Sequence, residues 1–120
     1  MDKHSDILDD FGETLITDVR DTTIRNYIKM FDGTMKGLTA KQVRERLSDF
    51  DEEQMETVKW LLSKIVDTSL HNMMFMLEQN SENIEVLYKG QNINELSDGL
   101  CGELYSEDGW IEKFSKENVV

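Results

Sequence analysis

The stretch from Asp51 to Asn80 limits what this chain can fold into more than any other. Asp51 and Gln54 have the spacing of a capping box, and Phe50 and Met55 occupy the two positions of a hydrophobic staple around it. The chain contains no proline, so nothing interrupts a helix before the polar run Asn80–Asn83. The spacing therefore predicts one helix from Glu52 to about Gln79, roughly 40 Å long at 1.5 Å per residue. Val58, Leu61, Leu62, Ile65, Val66, Leu70, Met73, Phe75, Met76 and Leu77 cover most of its circumference. A helix that is apolar nearly all round is expected to have neighbours on several sides. The unbroken run Met73–Leu77 places the deepest burial in its C-terminal half.

The remaining segments read as shorter helices gathered around that one. From Ser5 to Asp32, Ile7, Leu8, Phe11, Leu15 and Val19 recur at three- and four-residue steps, and Ile24, Tyr27, Ile28 and Phe31 continue the habit. This predicts an amphipathic helix that bends near Asp21-Thr22-Thr23, where helix propensity is low, and stops at Gly33. Thr39 with Gln42 repeats the capping-box spacing, with Leu38 and Val43 as its staple, and predicts a helix from Ala40 to about Ser48. The segment 84–93 reads either as a small hairpin turning at Lys89-Gly90 or as a helical turn, and Asn92 with Glu95 marks a short helix through Leu96. Ser106 is the expected cap of a last helix, with Tyr105 and Trp110 as its staple, and fraying is expected from Lys116 onward. The fold class that follows is mainly α: a single-domain helical bundle over residues 1–120.

Charge is the second constraint. There are 25 acidic residues against 13 Lys and Arg, for a net charge of −12, and the excess is uneven. Residues 33–64 are balanced, whereas between Glu78 and Glu112 the sole basic residue is Lys89. Such a field repels phosphates and anionic membrane and attracts a basic protein, which argues against direct nucleic-acid or membrane binding. No apolar run reaches signal-peptide or membrane-spanning length, so a soluble, cytoplasmic chain is expected. The single cysteine, Cys101, permits no internal disulfide and is expected to pack as a small core residue.

Chemistry has few footholds. Trp60, Lys64, Asp67, His71, Met74 and Glu78 fall within an arc of about 80° on the long helix. Asp67 and His71, four residues apart, are the weak catalytic candidates together with Glu78, because a carboxylate that orients a histidine is the minimum equipment for acid–base work. The plainer expectation is that this polar stripe is the helix's solvent-facing edge. A buried hydrogen-bonded network is the third reading. Two histidines, one of them His4, and one cysteine do not assemble a zinc site, and Asp6, Asp9 and Asp10 lack the pattern of a calcium loop. No metal or cofactor is expected, and no phosphate-binding loop or nucleophile elbow is present.

The segment Ser97–Glu112 interleaves aromatics with acids. Glu103, Tyr105, Glu107, Asp108, Trp110 and Glu112 are the candidate partner-binding residues, with Tyr88 a further anchor; alternatively Tyr105 and Trp110 close the end of the core. In size and charge the chain is similar to bacterial immunity proteins, which share no motif that could be carried over to its residues. That resemblance implies a non-enzymatic inhibitor of a basic toxin or nuclease. A nucleic-acid mimic, a small-molecule domain or enzyme using Asp67, His71 and Glu78, and a regulatory or structural subunit remain the other readings. The sequence leaves the oligomeric state open.

Overall fold

The computed structural model describes residues 3–117. Its frame is two long helical rods. The first consists of α1 (Lys3–Leu15), a π-helical segment (Ile16–Asp21) and α2 (Thr22–Asp32), and it stops at Gly33, which adopts a left-handed φ of 84°. The second is α4 (Glu52–Gln79). The rods run antiparallel: Arg20 reaches Asp67, while the charge of Lys59 is felt at Asp32. Between them in sequence, α3 (Leu38–Arg46) packs on α2.

The start of α4 is where the capping box places it. Asp51 Oδ1 accepts from the Gln54 amide at 2.8 Å, and Gln54 Oε1 accepts from the Asp51 amide at 2.8 Å. The helix ends at Asn80, whose side chain donates to the Met76 carbonyl. Beyond it, β1 (Leu87–Tyr88) and β2 (Gln91–Asn92) form the hairpin, turning on Lys89 and Gly90 with φ of 52° and 80°. Two successive positive φ values match the twist of the strands, and Gly90 adopts its value without strain. Asn92 then accepts from the Asn94 amide and opens α5 (Ile93–Leu96). The short α6 (Leu100–Leu104) packs on α4, and α5 and α7 (Trp110–Phe114) pack on α1.

The core lies at this end of the molecule. Leu8, Leu15 and Ile16 from the first rod meet Leu70, Met74 and Leu77 of α4, and Ile93, Leu100, Leu104 and Trp110 fill the space between. Phe11 packs edge-on against both Tyr88 and Trp110. Gly12 lies so close beneath the Trp110 indole that any side chain at position 12 would collide with the ring.

Several expectations need correction. The irregularity in the first rod is the π segment, one turn earlier than the weak triplet Asp21-Thr22-Thr23. A π turn inserts an extra residue, which rotates Val19 outward to 44 % exposure and turns Arg20 and Asp21 inward. The threonine hydroxyls of the triplet bond the loosened carbonyls, Thr22 to Thr17 and Thr23 to Val19. Thr39 does not cap α3: Gly37, at a φ of 122°, starts the helix early and leaves Leu38 exposed. Ser106 does not cap α7. Gly109 does so, in a turn closed by its own amide on the Ser106 carbonyl, where a Cβ would strike the Tyr105 backbone. Finally, α4 is covered along one face only; Leu61, Ile65, Met73, Phe75 and Met76 are about half exposed.

Candidate functional site

The polar stripe of α4 divides in two. Trp60 and Lys64 lie outside, with the Lys64 ammonium over the indole. From Asp67 onward the stripe turns toward the protein, contrary to the solvent-edge expectation. Met74 is buried, while Asp67, His71 and Glu78 are partly covered. The physical reason is that the first rod and α6 supply partners for these side chains.

Asp67 meets Arg20. The Arg20 Nε donates to Asp67 Oδ1 at 2.6 Å, and Nη1 donates to Asp21 Oδ1 at 3.0 Å, to Ser115 Oγ at 2.7 Å and to the Glu117 carbonyl at 3.1 Å. Asp21 in turn accepts from Ser115 Oγ at 2.9 Å and from the Lys116 amide at 2.7 Å. Arg20 and Asp21 are 5 % and 1 % exposed, so this is a buried ionic network in which one guanidinium serves two carboxylates. Burial without these partners would be costly. The network also corrects the expectation of fraying from Lys116: Lys116 and Glu117 are tied down, the latter also by Arg25 at 3.0 Å. Residues 118–120 lie outside the described residues, as does the side chain of His4.

Glu78 serves a different neighbour. Its Oε1 accepts from the Cys101 amide at 2.6 Å at the start of α6. It also borders a polar depression of about 400 Å³ with Ser81, Asn92, Asn94 and Asp98, which Asp67 and His71 do not line. The Cys101 thiol packs against the core and lies 3.8 Å from the His71 carbonyl; burial first, then the charge of Glu78, pushes it above its usual range. His71 stacks obliquely on Tyr105 with ring centroids 5.8 Å apart, and its Nδ1 is buried without a partner among the described residues. Among the described residues no hydrogen bond joins the side chains of Asp67 and His71, so the three acid–base candidates engage three separate neighbours. The same residues gather no group of three or more metal-type ligands, and no helix is long and apolar enough to cross a membrane.

The acidic C-terminal candidates also separate. Trp110 is 1 % exposed, which corrects its reading as a surface anchor: it fills the core beneath α1, with its Nε1 unpaired. Tyr105 is 41 % exposed and donates its hydroxyl to the Asp67 carbonyl at 3.1 Å. Burial, and then the Asp67 charge, holds that phenol above its ordinary value. Glu107, Asp108 and Glu112 are exposed. Glu103 is half-buried, and its carboxyl is raised by burial and then by the charges of Asp98 and Asp9. Tyr88 is half-buried and bonds Thr14 at 3.0 Å. Arg20, Asp21 and Ser115 were not singled out from the sequence. No spacing marked them, because Ile16 and Ile24, eight residues apart, also fit one face of a regular α-helix.

No protein-family model matches this chain, and neither does any curated protein or solved structure.

Proposed function

We propose that this chain is a protein-binding domain whose acidic end engages a basic protein, in the manner of an immunity-type inhibitor of a cationic toxin or nuclease. The observation that supports this reading most is the crowding of carboxylates around Glu103. Burial first, then the charges of Asp98 and Asp9, raise its carboxyl, while Glu107, Asp108 and Glu112 stand exposed on the same short stretch as the exposed Tyr105. Two lysines at this end are already engaged: Lys113 pairs with Asp9 at 3.1 Å and Lys89 with Asp10 at 2.7 Å. An incoming guanidinium or ammonium relieves that acid–acid repulsion, and the wider negative field speeds its approach.

The mimicry of a nucleic acid is less favoured, because it needs one long acidic face, and residues 33–64 are balanced in charge. The enzyme reading is also less favoured, because Asp67, His71 and Glu78 each face a different neighbour.

The test is affinity capture from source-cell lysate, nuclease-treated, at low and high salt. It compares the wild type with a variant reversing Glu107, Asp108 and Glu112 to lysine. The expected result is one dominant basic protein, retained by the wild type, weakened by salt and lost by the variant. Identical capture by both proteins at both salts contradicts the reading.

A further inference from the structure

The face of α4 opposite the core has a composition that nothing above uses. At about 100° per residue, every charged residue of the helix falls on one half of its circumference, the half holding Lys59, Lys64, Asp67 and Glu78. The other half carries no charge over all 28 residues. This is unusual in a chain whose charged content is 32 %. The uncharged half is open, and beside the neutral polar residues Thr68, Ser69 and Asn72 it shows Leu61, Ile65, Met73 and Met76 at 49 %, 56 %, 48 % and 44 % exposure. It continues sideways into a groove of about 430 Å³, with Val19, Thr23 and Tyr27 on one wall and Leu62, Ile65 and Ser69 on the other. From Val58 to Met76 the strip is about 27 Å long, and with the α2 flank about 20 Å wide. That is roughly 500 Å², approaching the ~800 Å² that each partner contributes to a standard interface. An exposed strip this rich in apolar side chains is of the size that is often functional.

The geometry points to a second copy of this chain as the occupant, with the two α4 helices antiparallel about a twofold axis through Ser69. Three observations carry this. First, a basic partner has nothing to pair with on a face without acids, so the charge logic of the acidic end does not apply here. Second, two copies of a chain of net charge −12 repel each other least where the facing surfaces carry no charge, as on this face. Third, the strip is self-complementary about Ser69. Residues four positions either side are Ile65 and Met73, and those seven positions either side are Leu62 and Met76. A twofold axis there sets Ile65 on the partner's Met73 and Leu62 on the partner's Met76, as an isologous interface requires. The small serine at the centre lets the helix axes approach to about 8 Å.

Sedimentation velocity of the full chain, from low micromolar to near-millimolar, tests this. The expected result is a concentration-dependent shift from 14.0 kDa toward twice that mass. Ile65→Asp, at an exposed position, should weaken association by at least about a hundredfold while leaving the thermal unfolding midpoint of the dilute, monomeric protein unchanged. Ser69→Cys should cross-link to a covalent dimer on mild oxidation, since facing Cα atoms at such a crossing lie within disulfide range, whereas Lys41→Cys on α3 and the wild type with Cys101 should not. Added salt should strengthen self-association by screening like charges, the opposite of its effect on a basic partner, so the two readings fail separately. A purely monomeric chain overturns the proposal. So does a dimer indifferent to Ile65→Asp, or a Ser69→Cys variant that does not cross-link.

Discussion

The two flanks of α4, on either side of the buried apolar ridge of Val66, Leu70, Met74 and Leu77, are covered unequally. One carries Asp67, His71 and Glu78 and faces the protein; the other carries Leu61, Ile65, Met73 and Met76 and faces solvent. The difference teaches that coverage follows what the neighbours offer. Arg20 and the Cys101 amide give the polar face its partners, and among the described residues no element reaches across the apolar face. Substitutions on the two faces should therefore differ sharply in cost.

The largest effect is expected at the centre of the buried network. Arg20→Leu leaves Asp21 and Asp67 without their cation and should lower stability by about 3–5 kcal/mol in urea unfolding. A loss under about 1 kcal/mol would mean that water reaches these carboxylates. Next comes Gly12→Ala beneath Trp110. Alanine is the better helix former, yet the collision with the indole should cost about 1–3 kcal/mol, and pairing it with Trp110→Phe should recover part of the loss. Asp51→Ala removes half of the capping box and should cost about 1 kcal/mol, measurable by thermal unfolding. On the outward face, Ile65→Asp should change the stability of the dilute protein by no more than about 0.5 kcal/mol. A destabilisation as large as that of Arg20→Leu there would break the comparison.

The smallest effect is a pH dependence at the acidic end. The Glu103 carboxyl is raised on folding, so the folded state favours its protonated form. Its contribution to stability is present in acid and lost as pH rises from the unfolded carboxylate range through the higher folded value. Glu103→Gln should therefore raise the unfolding temperature slightly at neutral pH, with the gain vanishing in acid.

Much of this frame was legible in the sequence because local chemistry fixed it. Asp51 and Gln54 satisfy each other's backbone, so α4 begins where they stand. Lys89-Gly90 suited the turn, and Asn92 capped the helix that followed. Where the same local signs misled, a backbone constraint took precedence: Gly37 and Gly109 started helices that Thr39 and Ser106 had been expected to cap. The π segment was missed because one extra residue shifts the phase of a stripe without breaking it, and because two adjacent charges do not advertise burial. On α4 the inward places of Val66, Leu70 and Leu77 followed the apolar pattern, whereas the partial cover of Asp67, His71 and Glu78 and the exposure of Leu61, Ile65, Met73 and Met76 did not, since periodicity gives the faces of a helix but not the positions of its neighbours. Trp110 was legible as a choice between anchor and core, and its burial under Gly12 decided it.

Methionine oxidation by dilute peroxide, read residue by residue by mass spectrometry, tests the unequal coverage of α4 most directly. Met73, Met74 and Met76 are close in sequence but stand on different faces, at 48 %, 1 % and 44 % exposure. In dilute protein Met73 and Met76 should oxidise readily and Met74 slowly, with protection of the first two growing as concentration rises. Met74 reacting as fast as its neighbours, or Met73 and Met76 protected at every dilution, would contradict the account.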